Sequence, residues 1–298
     1  CKTIENVIIH DGVTKIGQDA FNECKKMVNV VIGENVTSIG QYAFAGCKKL
    51  KDVTIDAKKV KYGAYAFTGC ETLKEFYVNA AVLPEGMFYE CDDLKTVTIG
   101  PDVNDIGVFA FRDTKISKFK IEKGNKTYKV QNKDYILSAD SKTLIAVSPL
   151  ASGEFTYEQI GGKKVTTIGK GAFSHNQKIT SVVMDKVTAI GEYGLASNKS
   201  MTNISLGSLK SIGDYAFFEA AITQLPELNK KCEIGKYAFS FTKLTSVTIP
   251  DKAEIAERTF SECLDLTTVV IGDNVKIGDY AFSMDKDSAF KVEMYMDG

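Results

Sequence analysis

The chain has 298 residues, 44% of them hydrophobic, with 37 basic and 38 acidic side chains and a formal net charge of −1. This balance gives no long-range field that would favour nucleic acid or an anionic membrane. No run of about 18 apolar residues occurs, so the sequence predicts no membrane span.

One pattern, V-x-x-I-G-x-x-A-F-x-x-C-x-x-L-x-x-V-x-I, repeats along the chain and is clearest over residues 36–55. Its phenylalanine column consists of Phe21, Phe44, Phe67, Phe88, Phe111, Phe173, Phe217, Phe239, Phe260 and Phe282, with Leu195 in the remaining place. Members are 21 to 23 residues apart except for one gap of 62 residues. Such a period predicts a solenoid whose coils bury their apolar faces against each other. We therefore expect a single repeat domain over residues 1–298.

The chain begins inside a repeat, because residues 1–9 align without a gap on residues 24–32. End coils of a solenoid need caps, so this start predicts that the natural protein continues upstream and carries its targeting signal there. The alternative is an N-terminal Cys that anchors a lipid.

The L-x-x-V-x-I part of each repeat alternates apolar and polar residues, as in Leu50, Val53 and Ile55. This period of two predicts a strand with one buried face. An Ile-Gly step follows a second apolar pair, Val36 and Ile39 in the clearest copy, and the next residues are too few for more than about one or two helical turns. Glycine at this step permits a positive φ or a close neighbouring backbone.

Most of the cysteines share one column, three residues after the phenylalanine. They are Cys1, Cys24, Cys47, Cys70, Cys91 and Cys263. A Cys or Asn there suits a turn whose backbone groups need an inward-facing partner. With this column the repeat resembles that of the BspA-like leucine-rich repeat family, in eleven copies over nearly all of the chain. The resemblance implies a right-handed coil stack with a parallel β-sheet on one face and short helical turns or loops on the other.

The gap between Phe111 and Phe173 predicts an inserted β-hairpin segment at about residues 122–154. Its two β-rich runs are residues 135–138 and 143–147, around the polar turn 139–142. Residues 155–157 are expected to resume the strand stack.

The residues offer little for catalysis or metal binding. His10 and His175 lie about six coils, or ~30 Å, apart at the strand spacing. No C-x-x-C pair occurs, and equivalent thiols on neighbouring coils have parallel Cβ vectors, so we expect free, buried cysteines. We therefore predict no catalytic residue, no metal site, no cofactor and no enzymatic activity.

Two surfaces are candidates for binding. Tyrosines fill the position two before the phenylalanine column, where Tyr42, Tyr65, Tyr193, Tyr215, Tyr237 and Tyr280, with Phe109, form what we call the tyrosine lane. The lane could be a binding platform, but a half-buried stack is favoured because the lane follows the period of the fold. The other candidate is the outward face of the strands, from Asn29 and Val31 through Gln224 and Pro226 to Thr268 and Val270.

The resemblance implies a non-enzymatic protein-binding or adhesion module, secreted or on a bacterial cell surface, whose partner is a host matrix protein or another surface protein. A glycan is a second class of ligand. The alternative is a structural spacer or scaffold that presents another domain of a longer protein. For protein binding we predict the strand face around Tyr77, Thr98, Lys118 and Lys120, because aromatic and basic groups contribute most to interfaces.

Overall fold

The structure is a computed structural model that describes residues 3–284 and the strand Glu293–Met296. The chain packs as two compact units. Unit 1 comprises Cys1–Ala139 and Ser148–Leu150, and unit 2 comprises Asp140–Val147 and Ala151–Gly298. Each unit is a β-solenoid built from short, mostly parallel strands, and the described residues contain no helix.

The described part of unit 1, from residue 3 onwards, contains thirteen strands. They are β1 (Asn6–Ile9), β2 (Lys15–Ile16), β3 (Asn29–Ile32), β4 (Ser38–Ile39), β5 (Asp52–Ile55), β6 (Lys61–Tyr62), β7 (Glu75–Val78), β8 (Val82–Leu83), β9 (Thr96–Ile99), β10 (Asp105–Ile106), β11 (Lys118–Ile121), β12 (Tyr128–Gln131) and β13 (Tyr135–Ser138).

In unit 2, residues 140–147, 151–284 and 293–296 contain thirteen more. They are β14 (Thr143–Val147), β15 (Gly153–Thr156), β16 (Thr167–Ile168), β17 (Ile179–Met184), β18 (Ala189–Ile190), β19 (Asn203–Leu206), β20 (Leu209–Ile212), β21 (Leu228–Ile234), β22 (Ser246–Ile249), β23 (Glu254–Ile255), β24 (Thr268–Ile271), β25 (Lys276–Ile277) and β26 (Glu293–Met296).

In unit 1 the strands of the V-x-I motif form what we call the front sheet, in two parallel pieces, β1-β3-β5 and β7-β9-β11. The two-residue strands before the Ile-Gly step form the second sheet, as β2-β4-β6 and β8-β10. Equivalent residues of successive coils lie side by side, for example Val30 beside Val53. The predicted strands are therefore confirmed, and the repeat register becomes the strand register.

In unit 2 the front sheet also has two pieces, β15-β17-β19 and β22-β24-β26, and the second sheet runs β14-β16-β18-β20-β21-β23-β25. Residues 222–227 form no front strand; towards β22 they make an isolated bridge from Gln224 to Ser246, and the amide of Thr245 donates to Thr223 O at 3.4 Å. The expected outward position of Pro226 is therefore wrong, since this residue is buried outside any strand. The sequence also predicted a final strand at residues 290–294; residues 290–292 lie outside the described residues, and β26 pairs with β24.

The phenylalanine column is the centre of the core in each unit. Phe44 is fully buried, and its ring stacks on those of Phe21 and Phe67 with centroids 5.2 Å apart. In unit 2, Phe239 stacks in the same way on Phe217 at 4.9 Å and on Phe260 at 5.2 Å. The period of the sequence thus stacks the column rings over runs of coils, whereas Phe76 packs against both Phe67 and Phe88, and Leu195 supplies no ring.

The segment around each core phenylalanine forms successive hydrogen-bonded turns instead of the predicted short helical turns. The residue two positions before the phenylalanine has a positive φ in every coil, for example 54° at Tyr42, and in most coils so does the residue two positions after it. A right-handed helix cannot pass through left-handed residues spaced four apart. The amides instead bond to the following coil, as from Phe44 N to Ala66 O at 2.9 Å.

The glycine of the Ile-Gly step is required by a close neighbouring backbone. A Cβ atom on Gly40 would lie 2.5 Å from the amide nitrogen of Gln18 in the preceding coil, and one on Gly63 would lie 2.3 Å from that of Gln41. Neither glycine has a positive φ, so of the two expected reasons for glycine only the close approach applies here.

The predicted insertion contains an antiparallel hairpin. Within unit 1 its arms are β12 and β13, in register from Tyr128 beside Ser138 to Gln131 beside Tyr135. The sequence predicted β13 as an arm but not β12. The other predicted run, residues 143–147, is β14 of unit 2, and β15 resumes the front sheet as expected.

Candidate binding surface on the front sheet

The four residues predicted for binding lie on three adjacent strands of unit 1, β7, β9 and β11. Tyr77 is in register with Thr98, and Thr98 with Lys120, so these three form one row across the sheet. Lys118 belongs to the next row, beside Thr96. We call Tyr77, Thr98, Lys118 and Lys120 the Tyr77 surface.

The surface is rigid because the alternate residues of its strands are packed into the core. The exposed fraction is 6% for the Phe76 side chain, 0% for Val97 and 1% for Phe119. A strand side chain cannot turn to the opposite face without moving the whole strand. The outward side chains are therefore held in parallel rows at the strand spacing of about 4.8 Å.

Tyr77 is the large apolar group of this surface and is 45% exposed. Its hydroxyl donates a hydrogen bond to a carboxylate oxygen of Glu122 at 2.5 Å. Partial burial and this bond to a carboxylate raise the pKa of Tyr77 to about 12. At neutral pH the residue is thus a protonated, oriented phenol with an accessible ring. Sequence reasoning missed Glu122, because it lies two coils further along.

Lys118 and Lys120 are exposed, and among the described residues neither forms an ion pair. By contrast, many other lysines pair with an acid of a neighbouring coil, as Lys48 does with Glu71. In the described residues these two ammonium groups form no ion pair, and they share the surface with the carboxylates of Glu75, in the row of Lys118, and Glu122, on the hydroxyl of Tyr77.

The hairpin lies beside this surface within unit 1. The amide of Phe119 on β11 donates to the carbonyl of Lys133 in the hairpin loop at 2.7 Å. Asn125, at the start of the insertion, donates to the carbonyls of Gly100 and Val103 at 2.8 and 2.9 Å. The insertion is thus tied to the coil that precedes it and borders the Tyr77 surface at β11.

The tyrosine lane is the packed stack that the period favoured. In unit 2, Tyr193 stacks on Tyr215 at 4.8 Å, and Tyr215 stacks on Tyr237 at 4.9 Å, with interplanar angles of 8° and 5°. Arg258 continues the lane, its guanidinium 5.9 Å from the ring of Tyr237 and 5.0 Å from that of Tyr280. Ring faces that cover each other cannot also stack on a ligand, so between Tyr193 and Tyr237 the lane offers mainly edges and hydroxyls.

The described cysteines are buried and form no disulfide with one another: Cys24, Cys47, Cys70, Cys91, Cys232 and Cys263. Cys1 lies outside the described residues. Four column thiols, those of Cys47, Cys70, Cys91 and Cys263, donate to a phenylalanine carbonyl of the preceding coil, as from Cys47 Sγ to Phe21 O at 3.2 Å and from Cys91 Sγ to Phe67 O at 3.1 Å. Asn198 bonds to Phe173 O in the same way at 3.1 Å. Burial raises the pKa of Cys47 to about 12.

The part of the chain that the structure describes holds no group of three or more His, Cys, Asp or Glu residues arranged to bind a metal. In the same residues no helix is long and apolar enough to cross a bilayer.

Comparison with known proteins gives a family match and several similar folds. The family model for the BspA type leucine-rich repeat region matches residues 1–117 and 164–288 in six copies. The unmatched stretch between them contains the insertion. A comparison with curated protein sequences gives no match.

Among solved structures, a leucine-rich cell surface protein from Faecalibacterium prausnitzii A2-165 is 23% identical over 99% of this chain and 79% of its own, with a TM-score of 0.59. A leucine-rich repeat protein from Eubacterium ventriosum is 24% identical over 92% of this chain and 73% of its own, with a TM-score of 0.61. The pneumococcal vaccine antigen PcpA is 16% identical over 98% of this chain and 69% of its own, with a TM-score of 0.64. At these identities the likeness shows a common fold.

Proposed function

Because the chain belongs to the BspA-type leucine-rich repeat family, we propose that it is a non-enzymatic binding module that attaches to a protein partner through the Tyr77 surface. The partner class is a host matrix protein or another cell-surface protein. The observation that supports this most is the row of Tyr77, Thr98 and Lys120 across three parallel strands, with two unpaired lysines on an otherwise charge-balanced protein.

The chemistry of the surface suits a folded, acidic partner. Tyr77 is already held by its bond to Glu122, so it loses little entropy on binding, and tyrosine is one of the residue types that contribute most to the energy of protein interfaces. Tyr77 offers a ring and Lys118 and Lys120 offer charge, while Thr98 between them is small enough to let a partner approach the sheet.

We also propose that the protein acts outside the cell or on its surface. The support is that two similar folds are described as a cell surface protein and as a vaccine antigen, and that the family match covers most of this chain. Secretion of the full-length protein, followed by protease shaving of intact cells, tests this: the repeat region should be released from the surface or found in the medium.

The binding proposal is tested with the double variant Tyr77→Ala/Lys118→Glu on a panel of immobilised extracellular matrix proteins. We expect the double variant to lose at least about tenfold in affinity, since one anchor is removed and one charge is reversed. Tyr215→Ala, in the tyrosine lane, is the matched control and should bind normally. Unchanged affinity in the double variant with loss in the control would move the site to the lane.

The same panel separates binding from a purely structural role. A spacer or scaffold that presents another domain needs no ligand of its own. If the unmodified protein binds none of the matrix or surface proteins at micromolar concentration, the binding proposal is wrong and the spacer role takes its place.

A further inference from the structure

The front sheet of unit 2 has a gap one coil wide beside β22. On its other side β22 pairs with β24 in regular register, from Ser246 beside Thr268 to Ile249 beside Ile271. On the side of the gap the chain makes a single bridge, Gln224 to Ser246, and then leaves the sheet. Strand β22 therefore has an open edge inside the solenoid face, next to a coil that contributes no front strand.

A groove of about 460 Å³ follows this open edge. One side is the strand, with Ser246 and Thr248 exposed, and it ends at Pro250. The facing side is the displaced segment with Leu225 and Pro226. The volume falls within the range of roughly 300–1,000 Å³ that is usual for ligand sites.

The backbone of β22 has an unused hydrogen-bonding position in this groove. In regular coils alternate residues of the front strand donate to the coil before, as from Asp52 N to Val28 O at 3.3 Å and from Asp56 N to Ile32 O at 2.9 Å. The matching residues of β22 are Ser246, Thr248 and Pro250. Ser246 is paired with Gln224 by the isolated bridge, and Pro250 has no N–H to donate. Thr248 is therefore the residue of this strand whose backbone lacks a described partner on the side of the gap.

Among the described residues no backbone hydrogen bond joins Thr248 to residues 225–228. An exposed amide and carbonyl on a strand edge are a template for another extended chain. Pro226 and Pro250 cannot donate to a ladder, so the solenoid does not close the gap itself.

We propose that the groove beside β22 binds a short extended segment of a partner protein by strand addition, with the backbone of Thr248 as its anchor. The occupant is an extended peptide because the unmet groups are those of a strand edge, which an extended backbone pairs with its own N–H and C=O groups. Buried Pro226 forms the floor, so the inward side chains of the segment must be small. This inference does not depend on the Tyr77 surface.

The test uses a labelled seven-residue peptide, acetyl-Lys-Val-Ala-Val-Ala-Val-Lys-amide, whose small residues alternate with strand formers. Fluorescence anisotropy measures its binding to the full chain. Two control peptides carry N-methyl groups on the alanines or on the valines. Alternate amides of a strand point to opposite edges, so only one of the two methylated peptides blocks the amides that face β22. That peptide should lose about fivefold or more in affinity, the factor that one backbone hydrogen bond supplies, and the other should bind normally.

Two chain variants localise the binding. Thr248→Pro removes the edge amide and should lower the affinity for the peptide by the same factor. Thr248→Val keeps the amide and should bind the peptide normally. If the proline variant does not fold, the methylated peptides still decide. Equal loss with both methylated peptides, full binding to Thr248→Pro, or self-association of the chain in place of peptide binding would overturn the proposal. The Tyr77→Ala/Lys118→Glu variant should bind the peptide normally, so the two sites are tested separately.

Discussion

At the residue scale, the phenylalanines of the column are among the largest fully buried side chains of the core. Phe44 is fully buried between Phe21 and Phe67. Replacing it with alanine leaves a cavity that rigid neighbouring coils cannot fill, so Phe44→Ala should cost about 3–5 kcal/mol in the free energy of unfolding. Urea unfolding followed by circular dichroism measures this cost.

The matched control is Phe241→Ala, because Phe241 is 48% exposed and lies outside the stack. We expect a change below about 1 kcal/mol there. A loss for Phe44→Ala as small as that of the control would mean that the phenylalanine column is not the core.

The buried thiols should be inert in the folded protein. Burial raises the pKa of Cys47 to about 12. It also raises the pKa of Cys263. Only the thiolate form of a cysteine reacts. Ellman's reagent at pH 8 should therefore label almost none of the described cysteines until the protein is unfolded. A disulfide between Cys24 and Cys47, found by mass spectrometry, would contradict this.

The same shift makes stability depend on alkaline pH. The folded pKa of Cys47 lies above the unfolded value of 9.0, so above pH 9 the unfolded chain binds fewer protons than the folded one. The contribution of this thiol is fully present below pH 9 and is lost as the pH rises towards about 12. Cys47→Ala should show a smaller loss of stability between pH 8 and pH 10.5 than the unmodified protein.

At the scale of the element, the Ile-Gly step fixes how closely coils approach. A Cβ atom at Gly40 would lie 2.5 Å from Gln18 N and 2.6 Å from Gly17 C, both backbone atoms that cannot rotate away. Gly40→Ala should therefore cost about 1–3 kcal/mol, as overpacking does elsewhere. The control is Gly17→Ala at the same motif position, where an added Cβ meets nothing within 4 Å. Equal effects of the two substitutions would show that coil spacing is not the reason for the glycine.

Strand positions could be predicted from the sequence, whereas the conformation of the turns could not. The V-x-I alternation is a local pattern that directly reports a half-buried strand, and it placed Tyr77, Thr98, Lys118 and Lys120 on one face. The left-handed backbone at Tyr42 could not be predicted, because tyrosine rarely has a positive φ. Here ring stacking and bonds to the next coil offset a cost of about 1–2 kcal/mol.

The gap beside β22 had a signal that the repeat alignment concealed. Aligning residues 222–228 on the motif placed Pro226 as an outward strand residue, although a proline in a strand interior argues against that assignment. In the structure Pro226 lies outside any strand, as is usual for proline and contrary to the repeat alignment. The partner of Tyr77, Glu122, could not be found because it depends on contacts two coils apart.

At the scale of the whole molecule, the chain is a repeat stack with almost no net charge, and we propose that it recognises a partner through local rows of side chains. Outward side chains alternate with buried ones along each front strand, so a row can change without altering the core beneath it. The repeat period predicts a single domain over residues 1–298, and we keep this as a proposal. The contacts divide the same residues into the two compact units described above.

The most direct test of the Tyr77 surface is a lysine footprint of the full chain with and without the matrix protein that binds it in the panel. Acetylation followed by mass spectrometry reads each exposed lysine. We expect Lys118 and Lys120 to be protected in the complex, and Lys15 and Lys61, exposed on the second sheet of the same unit, to be labelled equally in both samples. Protection of Lys15 and Lys61 with full labelling of Lys118 and Lys120 would contradict the account.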